Sequence, residues 1–228
     1  ETELFVNDLS MFGLPSDPGT THPTLAAVGK KYVVLSYGNG SAPMYFQKTT
    51  GTKIGEVTLG AAKATGAVTS DDCGNMLICN LAKNGEKLEI YKTNDPTKAP
   101  EKIITYTNGL GVDIGARLHV YGDLNGNAVI TATPSACQNA IRWIVRNGQV
   151  GEPENKQFNV GAWGDLDGIA KVASVDETGQ KGAVCDYYAD GACQMYYFAD
   201  WATPTNLVSN PHWGYNPGAI DVRGFNNC

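Results

Sequence analysis

The stretch GDLNGNAVITATPSACQNAIRWIVR, residues 122–146, decides the fold. Asp123, Leu124, Asn125 and Gly126 make a turn that opens onto a β-rich run, residues 128–133. A loop, 134–139, leads to a second run, 141–145, in which Ile141, Trp143 and Val145 share one face. That period of two is the geometry of a strand. The unit recurs three more times. Gly29 and Lys30 open onto residues 32–37, with 44–47 beyond a loop. Cys73, Gly74 and Asn75 open onto 76–79, with 88–91 beyond, and residues 179–182 open onto 183–188, with 195–198 beyond. The turns at Gly29, Gly74, Gly126 and Lys181 stand about 45 to 55 residues apart, the spacing of propeller blades built from four strands. The period of two excludes a solenoid of helices.

Outward from this unit, each copy gains an inner strand before it and an outer strand after it. The expected architecture is all-β and β-propeller-like: one domain, 1–228, with blades at 24–59, 65–107, 116–160 and 169–208. Inner strands are expected at 25–28, 66–70, 116–121 and 169–175, where Ala and Gly abound, as crowding near a propeller axis favours. Outer strands are expected at 54–59, 102–106, 156–160 and 206–208, and Asn147-Gly148 reads as a hairpin turn. Residues 219–228 begin a fifth blade. Either residues 1–14 supply its closing strand, or further blades follow in a longer protein; the second is expected, since one strand from each end would leave that blade thinly covered.

A chain of 228 residues that is 42% hydrophobic can bury a sizeable core. Its 17 Lys and Arg against 23 Asp and Glu give a net charge of −6, with no basic run longer than two residues. Such a surface repels a phosphate backbone, so nucleic acid is not an expected partner. No run approaches the roughly 20 apolar residues that span a bilayer. The six cysteines, at 73, 79, 137, 185, 193 and 228, form no pair with the close spacing of a zinc site. Several of them read as small buried side chains, in preference to a full disulfide framework.

FVNDLSMFGLP, THPTLAAVGKKYVVLS and NPGAIDVRGF resemble the start, the first blade and a later inner strand of a family of Bacteroidetes surface lipoproteins that carry a propeller-like domain of unknown function. The resemblance covers most of the chain and contains no catalytic motif. It implies a cell-surface, outer-membrane-anchored lipoprotein, its anchor lying outside this sequence. It also implies work beside importers of the Sus type, capturing glycan or peptide nutrients.

Propellers bind ligands at the loops that lead from one blade's outer strand to the next blade's inner strand. Here those loops bring His22, Lys63, Asp113, Trp163, Asp165, Asp167, His212, Trp213 and Tyr215 towards one mouth. Rings beside carboxylates suit sugars, because a ring covers the apolar face of a pyranose while carboxylates accept its hydroxyl hydrogens. The alternative is that Trp163 and Trp213 plug the space between blades. Asp165 to Gly168 and Asp123 to Gly126 resemble fragments of calcium loops but lack the further ligands, and Asx-Gly pairs are common in tight turns, so no cofactor is expected. No GxSxG, HExxH or P-loop occurs, and His119 falls inside an inner strand. The expected function is a non-enzymatic accessory protein of nutrient uptake. Its alternatives are a polysaccharide- or peptide-degrading enzyme that uses mouth carboxylates such as Asp113 with Asp165 or Asp167, and a purely structural assembly module.

Overall fold

In the computed structural model, residues 25–36, 42–63, 66–134, 139–157, 171–189, 192–201 and 203–210 are described. Their strands form four antiparallel sheets, each a four-stranded meander in chain order. Sheet one holds β1 (Leu25–Val28), β2 (Tyr32–Ser36), β3 (Met44–Gln47) and β4 (Lys53–Glu56). Sheet two holds β5 (Val68–Ser70), β6 (Met76–Cys79), β7 (Lys87–Thr93) and β8 (Glu101–Thr107). Sheet three holds β9 (Ile114–Gly122), β10 (Ala128–Pro134), β11 (Asn139–Arg146) and β12 (Gln149–Gln157). Sheet four holds β13 (Lys171–Ser174), β14 (Gly182–Ala189), β15 (Ala192–Phe198) and β16 (Pro204–Asn210). No helix occurs among the described residues, so none there is long and apolar enough to cross a membrane.

The sheets pack face to face in series. Ala27, Val34 and Tyr45 of sheet one meet Val68, Met76, Ile78 and Tyr91 of sheet two. Leu77, Cys79, Leu88 and Ile90 of sheet two meet Ile130, Ile141, Trp143 and Val145 of sheet three, and Ala140 joins Val172, Val184 and Phe198 of sheet four. A middle sheet is thus covered on both sides, which is why β6 reads as an unbroken apolar run and not as an alternation. Burying Met76, Leu77 and Ile78 stabilises the fold by about 1.5–3 kcal/mol each. The first strands of successive sheets touch, β1 with β5, β5 with β9 and β9 with β13. Hydroxyls on first and second strands stitch neighbouring sheets: Val28 N–H donates to Ser70 Oγ at 3.1 Å, Ser36 Oγ donates to the Gly66 carbonyl at 2.9 Å, and the Thr131 and Ser174 hydroxyls meet at 3.1 Å.

One strand differs from expectation. The outer strand of sheet three is β12, starting at Gln149 and ending at Gln157, where the sequence predicts residues 156–160. Asn147 (φ 50°) and Gly148 (φ 74°) sit in the left-handed conformation that a two-residue hairpin needs, so pairing resumes at once, Arg146 opposite Gln149. The run QVGEPENKQ is largely exposed and carries Pro153, tolerable because β12 lies at the sheet's edge.

The turns between first and second strands form interlocking clasps. In Asp71-Asp72-Cys73-Gly74-Asn75, the Asp71 Oδ1 accepts from the N–H of Cys73 (2.9 Å) and of Asn75 (2.7 Å). Its Oδ2 accepts from Asn75 Nδ2 at 2.6 Å and, across the sheet boundary, from Leu124 N–H at 2.8 Å. Asp72 exchanges with Gly122 in the same way, and Asn125 Nδ2 donates back to Asn75 Oδ1 at 3.2 Å. Asp123 and Asp176 open equivalent turns, each closed by a bond from the glycine three residues on. Cys73, within the first clasp, is disulfide-bonded, whereas Cys79 is free and buried; the reading as a small buried side chain holds for Cys79 alone of these two.

Candidate functional site

At the end of the sheets opposite the clasps, connectors from sheet one to sheet two and from sheet two to sheet three flank the β6–β7 loop, residues 80–86. Asn108, fully buried, locks the second connector to that loop. Its N–H donates to the Glu86 carbonyl at 2.9 Å, its carbonyl accepts from Gly85 N–H at 2.7 Å, and its Nδ2 reaches the carbonyls of Ala82 (3.1 Å) and Val112 (2.7 Å). Asn80 does the same for the loop's base: its Oδ1 accepts from Glu89 N–H at 2.7 Å and its Nδ2 donates to the Lys87 carbonyl at 2.9 Å. Buried amide side chains here replace ladder bonds that the loop cannot make.

Between this loop, the start of β7 and the first connector lies an open groove of about 800 Å³, lined among others by Lys63, Asn80, Leu81, Glu86, Lys87 and Glu89. Strand alternation puts Lys87, Glu89 and Tyr91 on the side of β7 that faces the connector. Glu89 is held in place twice: Tyr91 Oη–H donates to Oε2 at 2.6 Å and Lys102 Nζ donates to Oε1 at 2.9 Å. The tyrosine hydroxyl first, and then the lysine, hold the Glu89 carboxyl below its ordinary range. Burial first, then the neighbouring carboxylate, push the Tyr91 hydroxyl upward, while the backbone of Lys63 hydrogen-bonds to it and pins the connector over the groove. Glu86 turns back on its own loop, accepting from Lys83 N–H at 3.0 Å. Lys63 and Lys87 are exposed and neither forms an ion pair among the described residues, although the charge of Lys63 adds to those that hold the Glu89 carboxyl down.

Of the mouth residues predicted from sequence, the structure describes Lys63 and Asp113. Lys63 lines the groove; Asp113 is exposed on the second connector, outside the groove's lining. His22, Trp163, Asp165, Asp167, His212, Trp213 and Tyr215 lie outside the described residues, as do both arms of the fifth blade. His119 is buried on β9 opposite Thr131. The Asp123 carboxylate accepts from Asn125 N–H at 2.8 Å in its own turn and from Asn75 Nδ2 at 3.4 Å across the sheet boundary, and among the described residues no three metal-type ligands gather. Sequence reasoning missed Glu86, Lys87, Glu89 and Tyr91. Their signal was the alternation Lys87, Glu89, Tyr91 in a strand whose intervening residues, Leu88 and Ile90, are buried.

A family model described as Domain of unknown function (DUF8500) matches residues 3–228. The chain belongs to the DUF8500 family. No curated protein matches this DUF8500 chain. Among solved structures it is similar to a DUF4623 family protein from Bacteroides eggerthii, at 13% identity and a TM-score of 0.49, over 91% of this chain and 64% of that one. It is also similar to the endo-arabinase of Bacteroides thetaiotaomicron, at 12% identity and a TM-score of 0.49, over 82% of this chain and 81% of that one. The DUF8500 chain thus spans less than two thirds of the length of the DUF4623 protein, and nothing about its activity follows from likeness at this level.

Proposed function

We propose that this DUF8500 chain is a non-enzymatic, propeller-like glycan-binding protein of the cell surface that serves an outer-membrane importer. The contact of β1, β5, β9 and β13 in succession supports a radial array with those strands innermost. Surface location and importer rest on the sequence resemblance alone. The observation that carries the binding half is the groove at the connector end, whose size suits a small ligand and whose wall sets charged and amide groups beside Ala62 and Leu81.

The same groove argues against hydrolysis at that place. A glycosidase needs two carboxyls in unlike environments, one raised to act as an acid. Glu89 is shifted the opposite way and engaged by Tyr91 and Lys102, and Glu86 is turned onto its own loop.

The test pairs a glycan-binding panel with measurement of new reducing ends in the same mixtures. Binding without product supports the proposal, whereas turnover of any bound glycan overturns its non-enzymatic half. Gentle detergent extraction from producing cells, with quantification of co-isolated proteins, tests the importer: stoichiometric recovery of one supports it, and recovery of the protein alone removes it.

A further inference from the structure

We infer that the groove beside Lys63 and Lys87 is an acidic-sugar site, in which these two ammonium groups take the carboxylate of a uronic-acid oligosaccharide. The inference rests on the glycan-binding reading above and adds the ligand's charge.

The groove's charges are unequally occupied. Its two carboxylates are already engaged inside the protein, Glu89 by Tyr91 and Lys102 and Glu86 by the Lys83 backbone. Lys63 and Lys87 line the same groove and form no ion pair among the described residues, although the charge of Lys63 is felt at Glu89 as the last of the effects that hold that carboxyl down. Lys102, on β8, is committed to Glu89. With Lys102 counted, three cations stand against the two carboxylates, so the ligand group that completes this arrangement is an anion. Leu81 and Ala62 are the apolar members of the lining, and the lone pairs of Glu89 and Glu86 not used internally are left to accept sugar hydroxyls. A ligand with one carboxylate per ring and many hydroxyls matches both halves. The lysines are held at the rim by structure: the backbone of Lys63 is tied to Tyr91, and the Lys87 carbonyl accepts from the buried Asn80 amide.

The experiment is calorimetric titration of the folded chain with trigalacturonate, with the uncharged galactose trimer of the same linkage, and with an acidic Asp/Glu hexapeptide. Lys63→Gln, Lys87→Gln and the double variant are compared with Lys98→Gln, which removes one charge from a side chain 79% exposed and outside the groove. Expected are preference for trigalacturonate, about fivefold weaker binding in each groove variant, more in the double variant, weakening by salt, and no change in Lys98→Gln. Unchanged melting temperatures in all variants show that folding is intact. Equal binding of the neutral and acidic trimers, with no loss in the double variant, overturns the acidic-sugar site and leaves the glycan-binding reading standing. Tighter binding of the hexapeptide overturns both, as does the absence of any sugar binding.

Discussion

Asp71 tests whether the clasps hold the sheets together. The residue is 2% exposed, and its carboxylate accepts four hydrogen bonds, from the N–H groups of Cys73, Asn75 and Leu124 and from Asn75 Nδ2. In Asp71→Ala, the N–H groups of Asn75 and Leu124 stay buried and lose their acceptor, while that of Cys73 is part-buried and can reach water. A buried donor left unsatisfied costs about 1–3 kcal/mol, so the pair amounts to about 4 kcal/mol. With a urea slope of about 2.5 kcal/mol/M, the unfolding midpoint falls by roughly 1.5 M. Asp71→Asn keeps one acceptor oxygen but turns an amide donor towards other donors, and falls between. The assay is urea unfolding followed by tryptophan fluorescence and far-ultraviolet circular dichroism, with exposed Asp113→Ala as the control. A midpoint within about 0.3 M of wild type in Asp71→Ala, or equal to that of Asp113→Ala, would refute the clasp as a structural tie.

Gly182→Ala puts a Cβ 2.5 Å from the ring of Trp201, whose Nε1–H is fixed to the Gly179 carbonyl, so overpacking lowers stability by about 2 kcal/mol, read as a fall in melting temperature. Glu89 has a lowered folded-state pKa, so its stabilisation is complete above the unfolded-state value and fades as pH falls through the folded one. Melting curves from pH 7 to pH 3 should therefore show a smaller acid loss in Glu89→Gln than in wild type. Burial pushes the Cys79 thiol up to about 12, so an aromatic disulfide reagent at pH 8 leaves Cys79 unlabelled in the native protein and labels it in denaturant, as peptide mass mapping can follow. Glu154→Ala strands the 2%-exposed guanidinium of Arg142 and destabilises by about 2 kcal/mol in chemical unfolding, more than Arg142→Met does.

What could be read from the sequence follows from which forces act locally. Strand periodicity and turn residues are local, and all sixteen expected strands of the four sheets are present, most within a few residues of their expected ends. β12 was displaced because its composition is polar and its register is set by Asn147 and Gly148, a geometric instruction that outranks β propensity at an edge. The groove was only half legible. Lys63 came from the rule about connectors, but Glu89 and Tyr91 matter through partners 13 residues away or on another segment, Lys102 and the backbone of Lys63, and such pairings have no local signature. The clasps were seen as turns and not as ties, because Asp71 reaches Leu124 across 53 residues of chain.

The internal repeat also divides the molecule into a scaffold end and an end free to vary. Asp71, Asp123 and Asp176 begin three turns with the same Asp-x-x-Gly spacing, and each side chain closes its own turn, so the repetition there follows from one folding task performed three times. The connectors at the other end, residues 57–63 and 108–113, share no such pattern and carry dissimilar charges, Lys63 on one and Asp113 on the other. The first is held from outside by Tyr91 and the second by its own buried Asn108, so the exposed side chains of Lys63 and Asp113 are not what holds the connectors in place. A ligand site can therefore be rewritten at the connector end without disturbing the clasps. Exchanging Lys63 should then alter binding and leave the Asp71-dependent unfolding midpoint where it is, the separation that a division between scaffold and site requires.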